Sequence, residues 1–490
     1  MTKICVPISG NDARKMASKA FASGADLVEI RADLIPEADA TTLRRDFSSV
    51  LGKSIVTLRS ENEGGKSALR GKAREAWLEN AFSLKPSFID LELDTDNNLI
   101  ERWSNERKRI IVSKHFLSDW TTEMIAETLP KCCRLGGIGK VAVKVSDAAQ
   151  SVELLQEMTK LKLGNLAFMT MGDGGEISRA LAQSLGYQLV YCALSKQQMV
   201  APGQLDLKTQ RKISNGNSII VGLIGHPLGH TLSPRMQNAA FEALDIPGTY
   251  LKFDLPNAKD VAGFIRRSAK LGITGFNVTI PYKEIALSAV DHLDNDARRA
   301  GAINTIGIES DGILKGYNTD IFGFSEAIRA SGFNPRNKRA LIAGAGGASR
   351  AAIIGLWKMG AKIVIANRTP ERAEQLVRSM RVFIRTLPLE ALEKEKAFSL
   401  IVNATPVGMR GFGNEQIIPE ALVAKADAVM DMVYNPIETP LVKLAEKYNV
   451  RTVPGLDMLL YQGAKAFEIW TGRKAPLEAM KRQLLEAIKR

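Results

Sequence analysis

Histidine and cysteine are both scarce, with four of each in 490 residues. Cys5, Cys132, Cys133 and Cys192 all lie in the first half and fit neither a metal-ligand spacing nor a paired disulfide framework. That excludes a zinc module and a disulfide-stapled secreted scaffold, and it points to a reducing compartment. Long hydrophobic runs are missing too: nowhere do about 18 apolar residues stand together, and the opening MTKICVPISGNDARK lacks the apolar core of a signal peptide. The expectation is a cytoplasmic protein with no metal and no membrane partner. Aromatics make up only 6% of the chain and no long Lys/Arg block occurs, so the formal charge of +13 does not read as a nucleic-acid surface. It suits small anions such as carboxylates and phosphates.

What is present is an ordinary globular composition, 45% hydrophobic and 24% charged, on a chain long enough for two cores of about 200–250 residues each. In the first part, short runs rich in Val, Ile, Leu and Phe recur: ICVPI, DLVEIRAD, SIVTLRS, FIDLELD, RIIVSKHF, KVAVKV, NLAFMTMG and YQLVYCAL. Helix-like segments separate many of them. Eight alternating β and α units predict a closed (β/α)8 TIM barrel with chemistry at the strand C-terminal ends; an open flavodoxin-like sheet is the competing architecture. The polar stretch LDLKTQRKISNGNS at 205–218 marks a boundary, so the domains are expected at 1–212 and 219–490. Within the second, KRALIAGAGGASRAAIIGLWKMGAKIVIANRT reads strand, glycine turn, helix, strand, the start of a Rossmann nucleotide-binding unit.

Charges inside the apolar runs are costly unless paired or used. Glu29 and Arg31 end the second run, Arg59 followed by Glu63 ends the third, His115 ends the fifth, and Lys140 and Lys144 lie in the sixth. Residues four apart on a strand share a face, so spacing alone does not choose between the two lysines. One reading is an interior ion pair with Glu29 or Glu63. The other is a desolvated lysine beside other cations that attacks a ketone to form an imine, with a histidine moving protons at the neighbouring carbon and arginines holding a carboxylate.

DLVEIRAD, TLRSENEGG, IDLELD, SKH, KVAV, ISR and APGQ are similar, in order, to the type I 3-dehydroquinate dehydratases, over nearly all of residues 1–205. The resemblance implies Lys140 as the imine lysine, His115 as general acid/base and Glu63 as the residue orienting it. It also implies Glu29, Arg31, Arg59, Arg179 and Gln204 as substrate contacts, with Arg179 the carboxylate clamp. One position departs: Val200 stands where relatives have a serine, removing a hydroxyl contact from the closing loop.

In the second half, Gly344, Ala345, Gly346, Gly347 and Ala348 form a turn whose backbone N–H groups can meet a pyrophosphate at a helix N-terminus, with Ser349 in place of the third glycine. The next strand ends in Asn367-Arg368-Thr369, and an arginine there favours a 2′-phosphate, hence NADP(H) over NAD. Lys283 in GFNVTIPYK and Asp320 in GYNTD read as an ion pair first and a proton-shuttling dyad second.

GHPLGHTLSP, NVTIPYK, GAINT, NTD, GAGGAS, NRT, NATPVGM, DMVYNP and YQGAKAFEIWTG together resemble shikimate dehydrogenase from about residue 219 to the C-terminus, which reverses that order. The resemblance implies Lys283 and Asp320 as the catalytic pair, with Thr231, Ser233, Thr279, Asn304, Tyr434 and Gln462 around the substrate. It adds Thr405 and Gly455 to the cofactor contacts. It also implies a catalytic subdomain from 219–325 plus the C-terminal helices, and a Rossmann subdomain over about 336–455. Thr231 replaces the first of two serines and adds a methyl group to the pocket.

Joined in one chain, the two chemistries are consecutive. The first would yield 3-dehydroshikimate from 3-dehydroquinate, and the second would reduce it to shikimate. A second domain acting on quinate is the close rival, and a metabolite sensor that kept the folds without the chemistry is the distant one.

Overall fold

The computed structural model describes residues 2–199, 203–214, 217–229, 231–256 and 259–489. The chain forms two compact units: 1–220 with 247–258 and 266–273, and 221–246 with 259–265 and 274–490.

Eight strands of the first unit make one parallel sheet: β1 (Lys3–Ile8), β2 (Leu27–Arg31), β3 (Ser54–Thr57), β4 (Phe88–Glu92), β5 (Ile110–Phe116), β6 (Ile138–Lys144), β7 (Leu166–Met171) and β8 (Leu189–Tyr191). The order β7-β6-β5-β4-β3-β2-β1-β8 runs in sequence around a ring. β8 pairs with β1, and the Gln188 N–H donates to the Leu166 carbonyl at 2.9 Å where β8 approaches β7. A barrel is therefore formed, and an open flavodoxin-like sheet, whose strand order would be interrupted, is not.

Side chains alternate along each strand, so the barrel interior can be read in layers. Cys5, Leu27, Ile55, Ile111 and Ile138 fill one apolar layer. Two residues further along β2, β3, β5 and β6, and at the same level on β4, Glu29, Thr57, Ser113, Lys140 and Asp90 form a buried polar layer. Arg59, Glu92 and His115 come next, towards the strand ends, where the register pairs Glu92 with Ser113 and His115 with Ala142.

The second unit carries strands of two sheets. One runs in the order β9-β11-β13-β14-β12, with β9 (Ile219–Gly225), β11 (Gly275–Val278), β12 (His292–Leu293), β13 (Thr305–Ile308) and β14 (Leu314–Tyr317); β10 (Gly248–Asp254) belongs to the stretch grouped with the first unit. The other is wholly parallel: β15 (Arg339–Ala343), β16 (Lys362–Asn367), β17 (Arg385–Pro388), β18 (Leu400–Asn403), β19 (Ala428–Asp431) and β20 (Arg451–Pro454). Its order, β17-β16-β15-β18-β19-β20, reverses direction between β15 and β18. That is the switch point at which open α/β sheets bind ligands. Both faces of this sheet are covered, Ile342, Val402 and Met430 on one side and Leu341, Ile401 and Val429 on the other, which is why its strands are apolar at nearly every position.

Candidate active sites

The Lys140 side chain is 4% exposed and lies in the polar layer of the barrel, whereas Lys144, on the same face but at the strand end, is exposed. Lys140 Nζ donates to Glu29 Oε1 and Asp90 Oδ2, each at 3.0 Å. The interior partner is thus Asp90 beside Glu29, not Glu63, and the lysine's direct neighbours are carboxylates where cations were expected. Isolated buried charge is too costly to stand alone, so the barrel supplies counter-ions. Arg59 reaches Asp90 Oδ1 at 2.7 Å, Glu92 Oε1 at 3.1 Å, Glu63 Oε2 at 3.2 Å and Ser113 Oγ at 2.9 Å. Burial alone would raise the Asp90 carboxyl; Arg59 and Lys140 outweigh it and hold Asp90 well below the usual carboxylate range.

Glu63 lies on a single turn after β3. Gly65 lets that turn fold back on Arg59: a Cβ at Gly65 would sit 2.2 Å from the Arg59 carbonyl oxygen. The result places Glu63 Oε2 2.9 Å from His115 Nδ1 and 3.1 Å from the His115 backbone N–H. A carboxylate acceptor fixes Nδ1 as the protonated nitrogen and leaves the Nε2 lone pair to accept a proton. Burial, then the nearby Arg59 and Lys140, push the His115 ring well below its ordinary pKa of 6.5, so it stays neutral.

Arg179 is buried, and among the described residues its guanidinium meets only the carbonyls of Thr170 (2.6 Å) and Gly175 (3.0 Å), with no carboxylate at ion-pair distance. Burial lowers it to about 10. A cation buried without a counter-ion suits an anionic ligand. Arg31 is instead paired to Asp33 through two bonds of 2.9 and 2.8 Å. Gln204 is buried, and Val200 lies outside the described residues.

In the second unit, Lys283 Nζ donates to Asp320 Oδ2 at 2.5 Å, both groups half-buried. Asp320 is in the first turn of the helix Thr319–Ala330, where the helix dipole favours an anion. Asn304 Nδ2 donates to Asp320 Oδ1 at 2.9 Å and approaches Gln462 Oε1 at 3.4 Å, while its own Oδ1 accepts from the Thr319 N–H at 2.7 Å. Four of the expected residues therefore form one network. Ser233 is buried and its N–H meets Thr231 Oγ1 at 3.3 Å; Thr279 and Tyr434 are half-buried.

The region 4–217 matches the model of the type I 3-dehydroquinase family. Residues 223–306, 327–430 and 455–485 match the shikimate dehydrogenase substrate binding domain, the shikimate/quinate 5-dehydrogenase family and the shikimate 5'-dehydrogenase C-terminal domain. The chloroplastic bifunctional 3-dehydroquinate dehydratase/shikimate dehydrogenase of Arabidopsis thaliana is 32% identical over 97% of this chain and 83% of its own. The chain belongs to the bifunctional dehydratase/dehydrogenase family. It is a lyase and an NADP-dependent oxidoreductase of the shikimate pathway. The NADP(+) shikimate dehydrogenase of Methanopyrus kandleri is 45% identical over 55% of this chain and 96% of its own. A crystal structure of shikimate dehydrogenase in complex with NADP+ aligns with a TM-score of 0.52 at 40% identity, covering 56% of this chain and 98% of that one. The quinate dehydrogenase of Corynebacterium glutamicum also has a TM-score of 0.52, but at 28% identity over 55% of this chain and 99% of its own. Among the described residues no helix is long and apolar enough to cross a membrane.

The family's cofactor fits the turn after β15. Gly344 has φ +114°, and a Cβ there would lie 2.9 Å from the Ala404 carbonyl oxygen and 3.0 Å from Thr405, so the turn passes close to β18 only as glycine. Gly346 and Gly347 are exposed, and a side chain on either would meet nothing within 4 Å, which leaves the N-terminus of the helix Gly347–Lys358 open to a phosphate. Ser349 Oγ accepts from the Gly346 N–H at 3.3 Å. Asn367 Nδ2 donates to the Thr369 carbonyl at 2.8 Å, holding that loop. Arg368 is exposed and, among the described residues, makes no ion pair or hydrogen bond. Thr405 is tied through Asn403 to the buried Asp431, and Gly455 opens the helix Gly455–Thr471 with its Cα against Asp431 and Met432.

Sequence reasoning missed Asp90, Glu92, Ser113 and Tyr191. The signal for two of them was there: in FIDLELD the acids alternate with apolar residues, which puts Asp90 and Glu92 on one face of a buried strand.

Proposed function

We propose that Lys140, His115 and Glu63 carry the dehydration of 3-dehydroquinate, and Lys283 and Asp320 the reduction of 3-dehydroshikimate. The observation that carries the first assignment is a lysine inside the barrel next to a histidine whose Nδ1 is held by Glu63. Lys140 attacks the ketone carbon and the carbonyl oxygen leaves as water. The protonated imine draws electrons, His115 Nε2 removes a proton from the neighbouring carbon, and the same ring returns it to the departing β-hydroxyl. Arg179 fixes the substrate carboxylate, with Glu29, Arg31, Arg59 and Gln204 around the ring hydroxyls.

In the second site Thr231, Ser233, Thr279, Asn304, Tyr434 and Gln462 hold the carboxylate and hydroxyls. Bound NADPH supplies hydride to the ketone carbon. Lys283 gives a proton to the oxygen that becomes negative, and Asp320 holds the lysine in line. Gly344 to Ala348 and Thr405 would hold the pyrophosphate, Asn367, Arg368 and Thr369 the 2′-phosphate, and Gly455 would be a further cofactor contact. We assign residues 1–212 to the first activity and 219–490 to the second. The free, buried cysteines suit a reducing compartment such as the cytoplasm.

The test gives the whole chain 3-dehydroquinate with NADPH, follows both reactions, and maps borohydride-trapped peptides. Dehydration followed by NADPH loss, with the adduct on Lys140, is expected. An adduct on another lysine would overturn the first assignment, and dehydration without NADPH loss the second.

A further inference from the structure

The Lys140 amino group is enclosed on three sides. Two are the carboxylates of Glu29 and Asp90 at 3.0 Å. The third is the face of Tyr191, whose ring centroid is 4.3 Å from Nζ. Tyr191 is 3% exposed, and among the described residues its buried hydroxyl has no hydrogen-bond partner. The hydroxyl therefore does not hold the ring in place; packing in the apolar layer with Cys5 and Leu189 does.

Resting on the reading of Lys140 as the imine lysine, we propose that Tyr191 is a further catalytic residue of the dehydratase, its ring face keeping the imine nitrogen protonated. An ammonium and a ketone give a protonated imine and water: the C–N bond forms, the C=O bond breaks, two N–H protons leave with the oxygen, and the positive charge stays on nitrogen. Three donors become one, so at most one of Glu29 and Asp90 keeps its hydrogen bond. Attraction between a cation and a ring face needs no N–H donor and survives that change. Without the proton the imine is a poor electron sink, and dehydration stops.

The titratable and charged groups around this nitrogen are Glu29 from β2, Asp90 from β4, Cys5 from β1 and Tyr191 from β8, with His115 from β5 and Arg59, which shares Asp90. Of these, the ring face alone attracts the charge without requiring a hydrogen bond or carrying a charge of its own. Burial raises the Tyr191 hydroxyl well above its ordinary range, so it stays neutral throughout.

The experiment follows the alkaline limb of kcat for dehydration in the full chain, which reports groups in the substrate-bound enzyme. Tyr191→Phe serves as reference for mono-, di- and trifluorinated phenylalanines at the same position, beside Tyr191→Leu. Fluorine drains the ring face at nearly constant volume, so a packing role alone would not register it. Each fluorine should move the limb to lower pH, and Tyr191→Leu should move it by roughly one unit, a tenfold change in imine protonation. A limb that stays in place through the fluorinated series, while borohydride still traps substrate on Lys140, overturns the inference. An adduct on a different lysine overturns the assignment beneath it instead.

Discussion

The base proposed for the dehydratase, His115, is tuned by what surrounds it. Burial, Arg59 and Lys140 all disfavour its charged form, so its pKa is lowered and the neutral ring persists as pH falls until that lowered value is reached. The acid limb of kcat/KM for dehydration should therefore lie below the ordinary histidine value of 6.5. A pH–rate profile breaking at or above that point would contradict this account. Arg179 offers a second test: among the described residues its guanidinium meets only carbonyls, and the proposed pairing with a substrate carboxylate should be worth about 2–3 kcal/mol. Arg179→Ala should accordingly lower kcat/KM for 3-dehydroquinate by roughly 30- to 150-fold while reduction of 3-dehydroshikimate is unchanged, as steady-state assays of both reactions would report. Much of this site was legible one residue at a time, since charges in apolar runs stand out. The choice between Lys140 and Lys144 was not, because period two gives direction but not depth, and only the resemblance broke the tie. Glu29 was foreseen as a partner of the lysine, but Asp90 was hidden, because it comes from a strand far away in sequence.

At the scale of elements, the turn between β15 and its helix could be read in the sequence because a positive φ and a close approach both select glycine. The strand order that makes this turn a ligand site could not, since it depends on which edge later strands join. Replacing Gly344 by Ala forces a Cβ to within 3 Å of the Ala404 backbone in a conformation L residues avoid, and should cost about 1–3 kcal/mol in the unfolding of this unit, measurable in urea. Arg368→Ala should weaken NADPH far more than NADH, by tenfold or more in KM, if an unpartnered guanidinium faces the 2′-phosphate. Equal losses for both coenzymes would remove that role.

The whole molecule has two units with separate apolar cores, and each proposed site lies within one of them. Lys140→Ala should therefore abolish dehydration and leave NADPH oxidation by added 3-dehydroshikimate intact, whereas Asp320→Asn should do the reverse. Loss of both activities in either variant would mean the units are not functionally separable. The first unit's main run ends at residue 220, just past the polar stretch at 205–218. The grouping of 247–258 and 266–273 with that unit has no signal in the sequence, because it is set by tertiary packing rather than by any local pattern.

The alternation inside the barrel also bears on how such a chain can change over time. Asp90 and Glu92 face inward only because Ile89 and Leu91 face outward, and the same parity governs Ser113 with His115 and Lys140 with Ala142. One residue gained or lost within a strand exchanges the two faces, burying the aliphatic set where charge is needed and turning the charges onto the helices. Replacement of single residues can be absorbed gradually, but changes of length in these strands cannot. Insertions and deletions are therefore confined to the connecting loops, and differences in length among descendants should fall there.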